Sequence, residues 1–172
     1  LTANGGQTLS FIGDSAYPMA RNLVHNGGLT WTSRNGEAAS SLIALTAMDS
    51  RTTGFNPQHF QLVNLQANGQ AQLGRYAFGN ANLTVQGVRR DASRMIAAAA
   101  SGPTTTVPAT MNTSAGGSLS YQHMRAFGVP QLRYLALYNI NQFQYRTRFE
   151  GDINAPIERV SKAFEQRLDY NI

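Results

Sequence analysis

The stretch LRYLALYNINQFQYRTRF at residues 132–149 has the strongest β-strand character in the chain. It is rich in Tyr, Leu, Phe and Thr, which strands favour. In its second half, alternate residues fall on opposite faces of a strand. The mainly aromatic face carries Phe143, Tyr145, Thr147 and Phe149. The polar face carries Gln142, Gln144, Arg146 and Arg148. We predict one long amphipathic strand, or a strand that bends or divides into a hairpin at residues 139–141.

The end of this stretch starts a pattern that also occurs near the beginning of the chain. FEGD at 149–152 is followed by Pro156, and FIGD at 11–14 is followed by Pro18. An apolar run comes after each proline. We interpret the two copies as a repeated unit: a strand ending in Gly-Asp, a helix entered near the proline, and a second strand.

Four segments carry helix signals. They are a short segment from Pro18 to the glycines at 27–28, and residues 37–49, 89–100 and 156–167. Proline suits a first helical turn, and glycine suits a helix end. In the last segment, Ile157, Val160 and Phe164 share one helical face with Leu168. These signals predict three to four helices.

The remaining segments predict strands and a linker. Residues 8–12, 29–33 and 83–88 have strand character, and 60–65 and 72–78 form a hairpin around the turn signal Asn68-Gly69. Prolines and paired glycines make 101–118 a loop or linker. We therefore predict an α+β fold with an antiparallel or mixed sheet. Its organisation is either a single domain, 1–172, or two halves, 1–100 and 119–172.

The composition favours a structural protein. The chain is 42% hydrophobic and 13% charged, and it carries Lys162 as its single lysine beside thirteen arginines. A surface of neutral polar residues is commoner in secreted, envelope and shell proteins. The chain has no cysteine, and its three histidines lack the paired spacing of a zinc site. We predict no metal and no cofactor. No apolar run approaches the length of a membrane-spanning helix.

Gly13-Asp14-Ser15 resembles the nucleophile block of GDSL-type hydrolases. That chemistry needs a histidine that accepts the serine proton and an acid that orients it. The families carry a closing Asp-x-x-His near the C-terminus, whereas no histidine follows His123 here. We therefore interpret the motif as a turn, and predict that the chain is not an enzyme. Hydrolysis by Ser15 stays an alternative.

The arginines also suggest nucleic-acid binding, because Arg146 and Arg148 alternate with aromatic residues. In a regular strand, however, those aromatics lie on the face opposite the arginines. We therefore rank nucleic acid last among the partners. It would predict affinity that falls steeply with salt.

The sequence of residues 147–160, followed by LDYNI at 168–172, is similar to the opening strand-helix-strand of the short periplasmic domain of secretins and TonB-dependent receptors. It looks closest to the version in DotD/TraH-type proteins of type IVB secretion and conjugation. Residues 9–31 resemble the related domain of TcpQ/PilL-type pilus-assembly proteins. The chain departs from the DotD type, which has an N-terminal cysteine, and its second copy stops before the later elements of the domain. The resemblance implies a noncatalytic piece of a bacterial envelope assembly that joins its partners by strand addition.

We therefore expect a structural subunit of a secretion, conjugation or pilus assembly, in the bacterial periplasm or at the outer membrane. The strand at 142–149 would pair with a neighbouring subunit of the same or another kind. The predicted partner-binding residues are Gln142, Gln144, Arg146, Arg148 and Trp31, the last as a core or interface anchor. A virus or phage particle protein, located in the virion, is the alternative structural reading.

Overall fold

The computed structural model of the chain describes residues 1–12, 20–54, 57–95, 105–149, 152–153 and 157–171. In these ranges the regular structure is antiparallel β-sheet, apart from one turn of 3-10 helix at Ala126–Gly128. The strands are β1 Thr2–Ile12, β2 Ala20–Asn35, β3 Ala39–Thr53, β4 Gln58–Gly74, β5 Ala77–Arg90, β6 Ser93–Met95, β7 Thr105–Val107, β8 Ala109–His123, β9 Leu132–Phe149, β10 Asp152–Ile153 and β11 Ile157–Tyr170.

The main sheet follows the order of the chain. Its strands lie in the order β1, β2, β3, β4, β5, β8, β9, and β11 pairs with the other edge of β9. The short β10 pairs with the last residues of β9, and β6 and β7 pair only with each other. Register is continuous over long ladders, so that Leu29 lies opposite Leu45 and Leu45 opposite Leu65. Most neighbouring strands of the main sheet are therefore also neighbours along the chain, and residues 91–108 connect β5 to β8.

The two ends of the sheet differ in their connections. At one end, which we call the turn end, β2 and β3 are joined by residues 36–38, and β4 and β5 by residues 75–76. Gly36 has φ 58°, a left-handed conformation that glycine adopts without steric cost. The Ala38 N–H donates to the Asn35 carbonyl at 3.2 Å and closes this turn. At the opposite end, the loop end, β5 and β8 are separated by residues 91–108.

The sheet has no second layer packed on it in the part of the chain that the structure describes. There, the buried hydrophobic residues are Ala77 and Ala126. The accessible surface is 12359 Å², whereas a compact folded monomer of 18.7 kDa exposes roughly 8300 Å². Ladder hydrogen bonds and cross-strand side-chain pairs therefore hold the fold together, and large apolar side chains stay uncovered.

The predicted α+β class is wrong. The segment after Pro18 enters β2, residues 37–49 lead into β3, and most of 156–167 belongs to β11. Residues 89–90 end β5 and residues 93–95 form β6, while 96–100 lie outside the described residues. The helices that the secretin-type resemblance implies are therefore absent from the described ranges. Pairing with neighbouring strands overrides the local helix preference of these segments.

Several strand predictions are confirmed, and one turn prediction is wrong. Residues 8–12, 29–33, 83–88 and 132–149 are all strand. The turn predicted at Asn68-Gly69 lies inside the continuous strand β4, and the real turn is at Arg75 and Tyr76. Strand β9 also continues through residues 139–141.

The phenylalanines of the two Phe-x-Gly-Asp copies both lie at strand ends, but β1 is an edge strand and β9 is an interior strand. Phe11 is near the end of β1 and Phe149 ends β9, and each is followed by an antiparallel strand that pairs back. Residues 13–19 and 150–151 lie outside the described residues. The predicted linker contributes β7 and most of β8. Residues 1–100 and 119–172 supply strands to the same sheet, and the division into two halves stays a prediction.

Candidate functional site

The ladder registers divide the main sheet into an apolar face and a polar face. The apolar face consists of the odd-numbered residues of β1 to β5 and β8, together with the even-numbered residues of β9 and β11. Its large side chains include Leu29, Trp31, Ile43, Leu45, Val63, Leu65, Leu83, Val85, Met111, Leu119, Tyr138, Ile140, Val160 and Phe164. Because alternate residues point to opposite sides of a strand, these side chains lie together.

This apolar face is open. Trp31 is 42% exposed, Leu119 59% and Phe164 62%. Isolated exposed apolar residues are normal on a protein surface, but a continuous apolar area over several strands marks an interaction surface. The apolar face is therefore the main candidate functional site.

The polar face carries neutral amides and hydroxyls. Its members include Asn22, Asn26, Thr30, Asn64, Gln66, Asn68, Asn80, Asn82, Gln86, Ser114, Ser118, Asn139 and Asn141. Asn82 donates its Nδ2 to Ser118 Oγ at 2.7 Å, and Ser118 returns its backbone N–H to Asn82 Oδ1 at 3.2 Å. Grooves of about 750 and 820 Å³ are lined mainly by side chains of this face. The polar face is thus grooved and rich in amides and hydroxyls, but it also carries apolar side chains such as Leu62, Phe78 and Phe143.

The band of apolar residues crosses the sheet obliquely. The row of cross-strand partners through Leu29 and Leu45 is apolar in β2 and β3, yet the same row reaches Gln142 in β9. The row through Ser33 is polar in β2 but holds Tyr138 in β9 and Phe164 in β11. The band therefore moves towards the turn end from β2 to β11. The strands are tilted with respect to it.

Tyrosines border the band near the turn end. Tyr121 and Tyr134 lie on adjacent strands with ring centroids 6.3 Å apart. In the neighbouring turn, the Arg125 guanidinium lies 4.3 Å from the ring centroid of Tyr76. Tyrosine combines an apolar ring with a hydroxyl that seeks a polar partner. This end of the apolar face thus has the character of an apolar-to-polar boundary.

At the loop end, the apolar face carries a chain of charged side chains. His59 in β4 contacts two carboxylates, with Nε2 2.5 Å from Asp49 Oδ1 and Nδ1 2.6 Å from Asp91 Oδ2. Arg51 donates Nε to Asp49 at 3.0 Å, and Arg89 donates Nε to Asp91 at 2.9 Å. The order Arg51, Asp49, His59, Asp91, Arg89 defines what we call the charged chain. It connects β3, β4 and the end of β5.

The contacts of the charged chain shift its pKa values in the direction that keeps it ionised. Hydrogen bonds from His59 and then Gln61 lower the pKa of Asp49 to about 2. The hydrogen bonds to Asp49 and Asp91 raise the pKa of His59. Burial pushes the pKa of Asp91 upward, but hydrogen bonds from His59 and Arg89 outweigh it and leave the pKa lowered. A protonated imidazole between two carboxylates is therefore the favoured state.

Of the predicted partner-binding residues in the interior strand β9, Gln142, Gln144 and Arg146 lie on the apolar face. Gln142 lies opposite Ala115 on one side and Val160 on the other. Gln144 and Arg146 lie opposite β8 residues, and Arg148 occupies a register position opposite Ala109 and Ile153. Both edges of β9 are thus paired within the chain at residues 142–145. In the described ranges, the outer edges of the main sheet belong to β1 and β11.

Trp31 is exposed on the apolar face in β2, opposite Ile43. It stays a predicted interface anchor. Ser15 lies outside the described residues.

Sequence reasoning missed the charged chain, because the residues that meet at His59 are 10 and 32 positions away along the sequence. Only the strand register brings them together.

In the described ranges, no group of His, Cys, Asp and Glu side chains has an arrangement that holds a metal ion. In the same ranges, no helix has the length and apolar character needed to cross a bilayer. Comparison with protein-family models, curated proteins and solved structures finds no match to this chain. No enzyme family therefore matches it.

Proposed function

We propose that this chain is a noncatalytic structural sheet of a bacterial envelope assembly. Its apolar face lies against the hydrocarbon of a lipid bilayer, and its outer edges pair with neighbouring strands. The observation that carries the proposal is the uncovered apolar face, which runs across every long strand. A large continuous apolar surface is costly in water, at about 25 cal/mol for each Å².

The dimensions and borders of the band support lipid as the occupant. In β9 the apolar positions run over residues 132–140, which corresponds to about 27 Å along a strand. A tilted strand needs about 9–11 residues to cross a membrane, and the apolar band of such strands is bordered by aromatic residues. Tyr134 and Tyr138 lie at or near one border, and the charged chain lies at the other. The oblique course of the band agrees with the tilt.

The two outer edges of the sheet need neighbouring strands in a bilayer. Inside hydrocarbon every backbone N–H and C=O needs a hydrogen-bond partner. In the described ranges, the outer edges of β1 and β11 have no strand beside them. A strand from a neighbour or from another copy would satisfy these groups by strand addition. This retains the predicted envelope location and mode of assembly, but moves the contact from residues 142–149 to the edges.

Trp31 provides the direct test, because it is the single tryptophan and lies on the apolar face. The chain is folded into phosphatidylcholine vesicles whose acyl chains carry bromine. We expect a blue-shifted emission that the brominated chains quench. Emission at the wavelength of a water-exposed indole, without quenching, would show that the face does not meet hydrocarbon.

A matched variant moves the tryptophan by one residue to the other face. Thr32 is the neighbour of Trp31 in β2, and its side chain belongs to the polar face. In the double variant Trp31→Phe, Thr32→Trp, bromine quenching should fall strongly while the circular dichroism of the sheet is kept. Equal quenching in both proteins would contradict a one-sided contact with lipid.

A further inference from the structure

We propose that the loop end of the apolar face binds the phosphate groups of anionic lipid headgroups. The site is the arginine rim, which consists of Arg21, Arg51, Arg89 and Arg146. This inference rests on the proposed function, because it concerns the border of the same lipid-facing band. It adds the class of lipid that the sheet selects.

The four arginines share one face and one end of the sheet. Arg51 in β3 lies opposite Leu23 in β2. Met111 in β8 lies between Arg89 in β5 and Arg146 in β9. Arg21 lies in β2 with its guanidinium 5.6 Å from the ring centroid of Phe11. The rim therefore directly follows apolar positions, which is where the headgroups of a bilayer would lie.

The hydrogen bonds of the charged chain orient two of these arginines and leave donors that could bind a phosphate. Arg51 and Arg89 each use Nε to bind an aspartate, and their side chains are 59% and 63% exposed. Their terminal amino groups make no hydrogen bond to the described residues. A guanidinium presents these donors in a planar fork that matches two phosphate oxygens. Strands are about 4.8 Å apart, so guanidinium groups two strands apart can bracket one phosphate.

The balance of charge at the rim favours an anion. Four arginines face three carboxylates, Asp49, Asp91 and Glu158, so the rim keeps an excess of one positive charge even when His59 is neutral. The aspartates fix the direction of two guanidinium groups rather than cancel the whole rim. A phosphate attached to a lipid fits best, because the apolar side chains beside the rim would hold its acyl chains. A nucleic acid would leave those apolar side chains facing water.

The test measures which lipids contact the folded sheet. The chain is reconstituted in phosphatidylcholine bilayers with spin-labelled phosphatidylglycerol or spin-labelled phosphatidylcholine, and the motionally restricted fraction of each is compared. We expect phosphatidylglycerol to be preferred, by about fivefold for each arginine that meets its phosphate. High salt should reduce the preference. The double variant Arg51→Gln, Arg89→Gln should lose most of it.

Controls separate charge, site and folding. The variant Arg34→Gln, Arg133→Gln removes the same charge from the polar face at the turn end, and should keep the preference. The variant Arg51→Lys, Arg89→Lys should restore part of it. Equal preference in the two Gln variants would overturn the site. Displacement of the labelled lipid by inorganic phosphate or by a DNA oligonucleotide, as readily as by unlabelled phosphatidylglycerol, would overturn the assignment to headgroups.

Bromine quenching of Trp31 in the same samples distinguishes the two proposals. If quenching is present but the anionic lipid is not preferred, the arginine rim fails while the lipid-facing sheet stands. If quenching is absent in the unmodified chain, the proposed function fails first.

Discussion

The two faces of the sheet share the same strands, yet follow opposite rules. On the apolar face, Leu29, Leu45 and Leu65 lie side by side, and Leu29 and Leu45 are exposed. On the polar face, amides and hydroxyls such as Asn82 and Ser118 bind one another beside open grooves. A single sheet in water would normally cover its apolar side with a second layer. In the proposed function, the hydrocarbon of a bilayer takes the place of that second layer.

The two faces also differ in how their charged side chains are arranged. Where the apolar face carries charge at the loop end, Asp49, His59 and Asp91 are joined in one chain of hydrogen bonds. Each carboxylate there bonds to His59 and to one arginine, and Asp49 also accepts a hydrogen bond from Gln61. On the polar face, Arg34 lies exposed with a bond to the Gly36 carbonyl in the adjacent turn. The charged groups at the loop end are thus paired with one another, whereas Lys162 lies on the same face opposite Ile140, with no ion pair to the described residues.

The largest expected effect comes from placing a charge on each face in turn. Leu45→Arg puts a cation in the middle of the apolar band, and Thr46→Arg puts the same cation one residue further on the polar face. We expect the first substitution to destabilise the folded protein in vesicles by about 2–4 kcal/mol, as for a cation at the bilayer midplane. The second should destabilise it far less. Urea titration of both variants in phosphatidylcholine vesicles measures the difference, and equal losses would break the contrast between the faces.

Much of the strand content was readable from alternation, but the helical misreadings have a physical origin. In β11 the apolar residues Val160, Phe164 and Leu168 are four apart. A spacing of four keeps residues on one face of a helix and also on one face of a strand, because four is a multiple of two. The choice depends on whether β9 is available as a partner, and its register with β11 is not local information.

The charged chain was less predictable than the strands. The alternating arginines of β9 were visible in the sequence, and their separation from the aromatics of that strand was predicted correctly. However, the meeting of Asp49, His59 and Asp91 depends on the registers of three strands. A shift of one residue would put His59 on the polar face. A local signal exists only in the close spacings of Asp49 with Arg51 and of Arg89 with Asp91.

The second prediction concerns the pH dependence of the charged chain. The pKa of His59 is raised in the folded protein, so its stabilising effect is complete below the unfolded value of 6.5 and is lost as pH rises through the folded pKa. The pKa of Asp49 is lowered from 3.8 to about 2, so its effect is complete above 3.8 and is lost as pH falls through 2. The contribution of the chain should therefore be greatest between about pH 4 and 6.5.

Replacing the histidine tests the same point. Near pH 5.5, His59→Ala should lower the free energy of unfolding by about 1–3 kcal/mol, because two carboxylates lose a charged hydrogen-bond partner. His25→Ala, on the same face in β2, should cost no more than about 0.5 kcal/mol. Titration of the imidazole resonances by NMR checks the direction of the shift. A His59 pKa at or below 6.5 would mean that the chain is not held together as described.

The smallest expected effect compares a glycine from each face. A methyl group added at Gly87, on the apolar face, meets nothing within 4 Å, whereas one added at Gly28, on the polar face, lies 2.5 Å from Asn4 Oδ1. Gly87→Ala should therefore raise the free energy of unfolding by about 0.4–1 kcal/mol, chiefly by restricting the unfolded chain. Gly28→Ala should gain nothing or lose stability, because Asn4 has to turn away. Urea unfolding of the two variants in the same vesicles measures the difference. Equal gains would show that Gly28 and Asn4 are not closely packed, and that the two faces differ in polarity but not in packing at these glycines.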